Sequence, residues 1–178
     1  MFGFGEPQDS AIAILTADHR KVDDMFKRFE AETTNARKRE IALRICDELT
    51  VHAKAEEEIF YPEAFVALER DGEADEKKLI WEATVEHGTL EGIIEVIRQL
   101  GTTDEQLGSH VKVLSEYVKH HVREEEDQIF PTLRKTDLDM KELGRQIVAR
   151  KVELRSELNR NQYQRKAGGK KSTASGQA

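Results

Sequence analysis

The segment His52–Pro62, HAKAEEEIFYP, is followed 69 residues later by a close copy, HVREEEDQIFP, at His121–Pro131. When the two histidines are aligned, Glu56 matches Glu125. A histidine and a glutamate four residues apart on a helix lie on one face, offset by roughly 40° and about 6 Å. Because imidazole and carboxylate groups both bind iron, zinc or manganese, the repeated pair predicts a metal site made from two similar halves. The other matches are Glu57 with Glu126, Glu58 with Asp127, Tyr61 with Phe130 and Pro62 with Pro131.

The repeat also includes the helix that precedes each of these segments. Aligning His19 with His87, 68 residues further on, pairs Asp23 with Glu91. Two similar helical hairpins most simply form an antiparallel, up-down-up-down four-helix bundle with an approximate two-fold axis, so the predicted fold class is all-α. The further matches are Ile12 with Ile80, Thr16 with Thr84, Asp18 with Glu86, Val22 with Leu90 and Phe26 with Ile94.

Apolar periodicity places the four bundle helices within residues 10–135. Asp9 or Ser10 is expected to cap the first helix. Pro62 is expected to kink the second helix or to weaken its hydrogen bonding. Residues 1–9 are predicted to be a flexible lead-in. The helices are predicted at about 10–33, from after Asn35 to about Leu68, at about 74–100 and at about 103–135.

A fifth helix is predicted at about 138–164, within a C-terminal helical segment at 136–166. Its apolar line is thinner than those of the other helices, so we expect it to pack on the outside of the bundle or to pair with a second copy in a homodimer. Residues 167–178, AGGKKSTASGQA, contain few apolar residues and are predicted to form a flexible tail. The apolar line consists of Leu138, Leu143, Ile147, Leu154 and Leu158.

The charge of the chain is uneven. The whole chain carries −7 and the segment from Arg150 onward carries +6, so the remainder carries −13. An acidic body argues against nucleic-acid binding and favours cation uptake, and we take the short basic tail to be solubilising. The single cysteine, Cys46, fits a reducing compartment. The first residues do not resemble a signal peptide and no run of residues is apolar enough to span a membrane, so a cytoplasmic protein without membrane contact is expected.

Each predicted bundle helix carries a histidine followed four residues later by a carboxylate, and all eight groups fall on the predicted inward stripes. Eight converging polar groups would be costly to bury without partners, and a bound pair of metal ions resolves that cost. The short side chain of Asp23 leaves two roles open, as a ligand or as a group that holds a histidine. A bundle with histidine–carboxylate pairs and no ion is the competing interpretation. The pairs are His19 with Asp23, His52 with Glu56, His87 with Glu91 and His121 with Glu125.

Other polar residues near these pairs receive simpler interpretations. His120 lies about 100° around the helix from His121 and is expected to be exposed, whereas His110 is expected to pack at the end of the bundle. Tyr117, one turn before His121, is expected to be core, with its hydroxyl a possible partner of an oxygen species at the metal. The acidic residues expected on a solvated face are Glu57, Glu58, Glu126 and Asp127.

With these motifs in place, the chain resembles the hemerythrin-like, or HHE cation-binding, family. The resemblance rests on DHRKV around His19, HAKAEEEIFYP, EHGTLE around His87 and HVREEEDQIFP, and covers about residues 10–135. It implies a non-haem di-iron centre, with an oxo or hydroxo bridge, in an antiparallel four-helix bundle. By this resemblance the ligands of one iron are His19 and His52, those of the other are His87, Glu91 and His121, and the bridging residues are Glu56 and Glu125.

Two departures from the oxygen-carrying members of that family bear on function. Those proteins have a histidine where this chain has Glu91, and HxxxxD where this chain has HxxxE from His121. A site richer in carboxylate favours a higher-valent ion and makes reversible release of dioxygen harder. We therefore expect reaction with dioxygen, peroxide or nitric oxide, with catalase- or peroxidase-like turnover. The alternatives are an oxygen or iron sensor or store without turnover, which signals through the fifth helix, and a structural zinc or manganese site.

Overall fold

The computed structural model describes residues 7–70 and 76–172, with side chains described as far as 164. The described residues form five helical rods and no strands, which confirms the predicted all-α class. The second rod spans 35–70 and the fourth spans 107–133, and each contains one π-helical turn. In chain order the elements are α1 (Ala11–Ala31), α2 (Asn35–Ala55), the π-helical turn π1 (Glu56–Phe60), α3 (Tyr61–Arg70), α4 (Glu76–Gln99), α5 (Leu107–Glu124), the π-helical turn π2 (Glu125–Ile129), α6 (Phe130–Leu133) and α7 (Met140–Ser172).

The start of α1 agrees with the expected cap. The Ser10 side chain accepts a hydrogen bond from the Ala13 backbone N–H at 3.1 Å, which satisfies one of the free donors at the helix start. Residues 1–6 of the predicted lead-in lie outside the described residues.

The two π-helical turns lie at equivalent points of the repeat, each just before a proline. The Tyr61 backbone N–H donates to the Glu56 carbonyl, and the Phe130 N–H donates to the Glu125 carbonyl, in each case five residues back. Proline lacks an N–H and its ring crowds the carbonyl four residues before it, so a regular α-helix is disfavoured at this point. The disturbance expected at Pro62 is thus a wider turn, and each such turn begins at one of the two repeated glutamates.

The first four rods close a bundle in which α1 packs against α2 and α5, and α4 packs against the same two helices. Two apolar clusters fill it, one towards each end. The lower cluster includes Leu15, Phe60 and Phe130. The upper cluster, which includes Phe26 and Leu114, also contains the buried Cys46, as expected for a packing residue. The four repeated histidines lie between the two clusters in sequence and are all buried.

The fifth rod, α7, packs on the outside of the bundle against α1 and α2, one of the two arrangements expected for it. Leu143, Ile147 and Leu154 are buried there. The helix is longer than predicted, because it continues to Ser172 rather than ending near residue 164, and residues 167–172 of the predicted flexible tail are therefore helical. Residues 173–178 lie outside the described residues. None of the described helices is long and apolar enough to cross a membrane.

Candidate metal centre

The four repeated histidines meet as two pairs in the middle of the bundle. The Nε2 atoms of His19 and His52 are 3.2 Å apart, and those of His87 and His121 are 3.0 Å apart. Each histidine comes from a different rod, and each is buried. The arrangement matches the two half-sites expected from the repeat, one for each helical hairpin.

Two buried glutamates join the pairs. Glu56 Oε2 lies 3.1 Å from His52 Nε2 and 3.5 Å from His87 Nε2. Glu125 Oε2 lies 3.2 Å from His19 Nε2 and 3.7 Å from His121 Nε2. Each carboxylate therefore faces one histidine of each pair, the position that a ligand shared by two ions must have. Both glutamates are the first residues of the π-helical turns.

The donor atoms of this centre fit bound cations. Two groups have ligand atoms that all lie within 4.8 Å of one another, and they share Glu56. Both Glu56 oxygens and Oε2 of Glu125 are buried without a well-directed hydrogen bond among the described residues. Unsatisfied buried carboxylate oxygens are costly, and metal ions held between imidazole and carboxylate would remove that cost. The groups are His19, His52, Glu56 and Glu125, and Glu56, His87 and His121.

An outer layer of carboxylates holds the other ring nitrogen of every histidine. Such groups fix the orientation of a ligand histidine and increase its basicity. The four contacts follow the repeat, since Asp18 aligns with Glu86 and Glu57 aligns with Glu126. The Nδ1 contacts are His19 with Glu126 at 2.8 Å, His52 with Asp18 at 3.3 Å, His87 with Glu57 at 3.0 Å and His121 with Glu86 at 2.8 Å.

The two central glutamates, Glu56 and Glu125, differ in ionisation. Burial raises the pKa of Glu56 well above its ordinary value, and the charge of Glu125 adds to the shift. Burial acts on Glu125 in the same direction, but the charges of His121 and His19 and a contact with His19 outweigh it and lower the pKa of Glu125. In the ion-free protein the carboxyl group of Glu56 therefore tends to keep its proton while that of Glu125 is ionised.

The two histidines of the first pair, His19 and His52, also differ in pKa. Burial opposes a charge on His19, but the carboxylates of Glu125 and Glu126 raise its pKa to about 9. Burial lowers the pKa of His52 to about 4, and the hydrogen bond that its Nδ1–H donates to Asp18 only partly offsets this effect. Ionised Glu125 is thus balanced by protonated His19, whereas His52 is neutral and has a lone pair available for a metal ion.

Tyr61 and Phe130, which occupy equivalent places in the repeat, distinguish the two halves. The Tyr61 ring stacks on His87 at 5.5 Å, and the Phe130 ring stacks on His19 at 6.0 Å. The Tyr61 hydroxyl also donates to Glu125 Oε1 at 2.8 Å and lies 3.5 Å from His87 Nε2. Burial, together with the charge of Glu125, raises the pKa of Tyr61 well above its ordinary value, so the hydroxyl keeps its proton. Phe130 offers no such hydroxyl.

A cavity of about 80 Å³ adjoins the centre on the side of the upper apolar cluster. Its wall includes all four histidines together with Leu49, Leu90 and Val118, and Lys54 and Glu57 also line it. The space suits a molecule of a few atoms, and its lining is mainly apolar beyond the histidines.

The structure does not bring Asp23 or Glu91 into either cluster, in contrast to the prediction. Asp23 is partly exposed and pairs with Lys27 at 2.7 Å, and Glu91 is exposed and only borders the cavity. The reason is the step of the buried row. On α1 and α4 the buried residue after the histidine is three positions on, at Val22 and Leu90, which leaves the fourth position off the inward face. The predicted asymmetry, in which Glu91 enriches one half, is therefore not seen in the converging groups.

Of the other polar residues considered near the histidines, some lie where they were predicted and some do not. Tyr117 is 47% exposed, so it is neither core nor a partner of the centre, and Tyr61 is the tyrosine at the site. Glu57 and Glu126, expected on a solvated face, each hold a histidine. The signal for these two was available in the repeat, which aligns them with each other. His120 is exposed as expected, and His110 is half-buried at the start of α5 with its Nδ1 3.0 Å from the Gln106 carbonyl.

Comparisons with known proteins agree with this centre. A crystal structure of a hemerythrin HHE cation binding domain-containing protein from Mycobacterium kansasii has the same fold, with a TM-score of 0.69 over 83% of this chain and 88% of that chain at 21% identity. A DNA nickase of Nostoc sp. is 28% identical over 121 residues, and the match spans 68% of this chain but only 32% of that protein. Residues 10–133 match the family described as Hemerythrin HHE cation binding domain. The matched region is most of the chain, which therefore belongs to the hemerythrin HHE cation-binding family.

Proposed function

We propose that this chain is a non-haem di-iron protein that reacts with dioxygen or peroxide, in a response to oxidative or nitrosative stress. The observation that carries the proposal is the pair of histidine couples joined by Glu56 and Glu125 beside a small cavity. Two iron ions held there would bind small oxygen-containing molecules, and the cavity has room for one such molecule. The anionic ligands of the proposed di-iron centre would be Glu56 and Glu125, because Glu91 lies outside the clusters.

Iron ions, when bound, supply the electrons that dioxygen or peroxide chemistry requires. The residues of the chain supply the positions and the protons. His19 and His52 would hold one ion, His87 and His121 the other, and both glutamates would be shared. Tyr61 Oη keeps a proton 3.5 Å from His87 Nε2 and donates a hydrogen bond to Glu125 Oε1. It can therefore supply that proton beside the ion that His87 and His121 would hold.

The test is to load the protein anaerobically with ferrous iron, expose it to air or peroxide, and follow its optical spectrum and peroxide consumption. Charge-transfer bands that persist, with consumption at least about tenfold above a His52→Ala, His121→Ala double variant, would support the proposal. His110→Ala is the matched control, because His110 lies away from the centre. Equal peroxide consumption by the protein and the double variant would rule out catalytic turnover of peroxide. Bands that disappear when oxygen is removed would indicate a reversible oxygen carrier.

A second candidate function is a sensor or store for oxygen or iron without turnover. The observation that favours it is the contact between α7 and the centre, in which Lys151 pairs with Asp18 and Asp18 holds His52. A change at the centre could then alter how α7 docks. Hydrogen exchange of residues 140–164 should slow when iron binds, and identical exchange with and without iron would argue against this candidate.

The activity named for the Nostoc relative is not extended to this chain. The match covers 32% of that protein, so the activity can belong to a part that this chain does not match. The strongly acidic body also disfavours contact with DNA phosphates.

A further inference from the structure

A third group of metal-ligating side chains lies on the surface, outside the interior centre. Glu86 of α4 and His120 and Glu124 of α5 converge there. His120 Nε2 lies 3.4 Å from Glu86 Oε1 and 3.4 Å from Glu124 Oε1. His120 and Glu124 are one turn apart on the same helix, and His120 is 59% exposed, so an ion in solution can reach the group.

The spacing suits a shared cation better than direct hydrogen bonds. The distances of 3.4 Å exceed the usual range for a hydrogen bond from nitrogen to oxygen, about 2.7–3.2 Å. Around a tetrahedral ion with bonds of about 2.0–2.1 Å, neighbouring ligand atoms are about 3.4 Å apart. Imidazole and carboxylate are both ligand types that zinc accepts, and a site with three protein ligands can hold water in the fourth position.

Glu86 is already oriented for this role. Its Oε2 contacts the Nδ1 of the buried His121 at 2.8 Å, while its Oε1 faces His120. The carboxylate therefore cannot turn freely, and one of its oxygens is held towards the surface group. Any ion bound there would be one carboxylate away from a histidine of the interior centre.

The repeat gives an independent reason to expect a cation at this point. Asp18, the counterpart of Glu86, holds His52 on one side and on the other side pairs with the buried ammonium of Lys151. The counterparts of His120 and Glu124 in the first hairpin are Val51 and Ala55. Both are buried in the apolar cluster that also contains α7.

The second hairpin thus has His120 and Glu124 at this place. The first hairpin is covered there by α7, and Lys151 of α7 pairs with Asp18. We propose that Glu86, His120 and Glu124 bind one divalent transition-metal ion of the zinc class at the surface. This ion would take the place that the Lys151 ammonium has in the other hairpin. The site would act on the interior centre through Glu86, and it does not depend on the redox chemistry proposed above.

Equilibrium dialysis against Zn²⁺ tests the site by counting ions per chain. We expect three ions for the unaltered chain and two for His120→Ala and for Glu124→Gln, with at least about tenfold weaker binding of the lost ion. His110→Ala is the matched control and should retain three. The imidazole NMR signals of His120 should shift with the third equivalent, while those of His110 should not.

A background variant separates this site from the interior one. His19→Ala, His52→Ala removes interior ligands that do not contact Glu86, and adding His120→Ala to it should still lower the count by one. A background variant whose ion count is unchanged by His120→Ala would overturn the proposal. Retention of the third ion in both His120→Ala and Glu124→Gln would also overturn it, because the ion would then be held elsewhere on the acidic surface.

Discussion

Lys151 of α7 reaches through the side of the bundle to the carboxylate of Asp18, which itself contacts Nδ1 of the buried His52. Lys151 is only 6% exposed. Burial alone would raise the pKa of Asp18, but contacts with His52 and Lys151 lower it to about 2. Because His52 is uncharged near neutral pH, Lys151 is then the cation that stabilises this carboxylate. The fifth helix is therefore part of the environment of the metal centre.

Replacing Lys151 with methionine should weaken metal retention. The substitution keeps most of the apolar stem and removes the charge, so Asp18 loses the cation that holds it beside His52. Outer partners of ligand histidines contribute about 10–100-fold to metal affinity, and we expect a loss near the lower end of that range, measured as faster iron release to a chelator. Lys141→Met, which removes an exposed pair with Asp9, is the control and should release iron at the original rate.

The same pair should affect acid stability in the ion-free protein. The folded pKa of Asp18, about 2, lies below its ordinary value of 3.8. Asp18 therefore contributes stability above about pH 4 that is lost as the pH falls towards 2, on the order of 2 kcal/mol. In Lys151→Met the pKa of Asp18 should rise, and the free energy of unfolding should fall less steeply between pH 4 and pH 2. Curves of equal slope for the two proteins would contradict this role of Lys151.

The sequence repeat predicted most of the centre because helical spacing carries that information. His52 with Glu56 and His121 with Glu125 lie on the inward face of their rods, where the residue four positions after the histidine is buried. The prediction for Asp23 applied the same spacing to α1, where Val22, three positions after His19, is buried and Asp23 is not. Such a difference depends on how each helix is rotated in the bundle, and a matched sequence position does not define that rotation.

Contacts between distant helices were harder to predict. His19 meets Glu126 across 107 residues. The aromatic ring that stacks on His19 or His87 belongs to the other hairpin and directly follows its π-helical turn. The alignment of Tyr61 with Phe130 was visible in the sequence. The contact of each ring with a histidine of the other hairpin was not predictable, because the π-helical turn that positions the rings cannot be recognised from residue spacing.

Replacing Tyr61 with phenylalanine should separate binding from chemistry. The ring would still stack on His87, so we expect two ions to bind as before. Loss of the hydroxyl removes the proton held beside the second position, and the rate of reaction with peroxide should fall by about 10²-fold. Stopped-flow measurement of the iron-loaded protein checks this. Tyr117→Phe is the matched control, since Tyr117 is exposed, and an equal decrease in both variants would rule out a specific role for Tyr61.

Metal uptake should release protons and strengthen with pH. His19 must lose its proton to become a ligand, and its pKa in the ion-free protein is about 9. Below that pH, the apparent affinity should rise by about tenfold per pH unit for this one proton, and Glu56, whose pKa is raised, adds a further proton release. Calorimetric titration with Zn²⁺ in buffers of different ionisation enthalpy counts these protons. An affinity that does not change between pH 6 and pH 8 would contradict the assignment of His19.

A glycine on α7 allows the fifth helix to lie close to the start of α1. A Cβ atom at Gly144 would collide with the backbone carbonyl of Asp9. Because neither backbone can yield easily, Gly144→Ala should lower the free energy of unfolding by about 1–3 kcal/mol. At Gly92, within α4, a Cβ would meet nothing within 4 Å, so Gly92→Ala should raise the free energy of unfolding by about 0.5–1 kcal/mol through helix propensity alone. Opposite signs in urea denaturation of the ion-free variants would confirm that α7 is docked on α1 in solution, whereas stabilisation by both substitutions would mean that it is not.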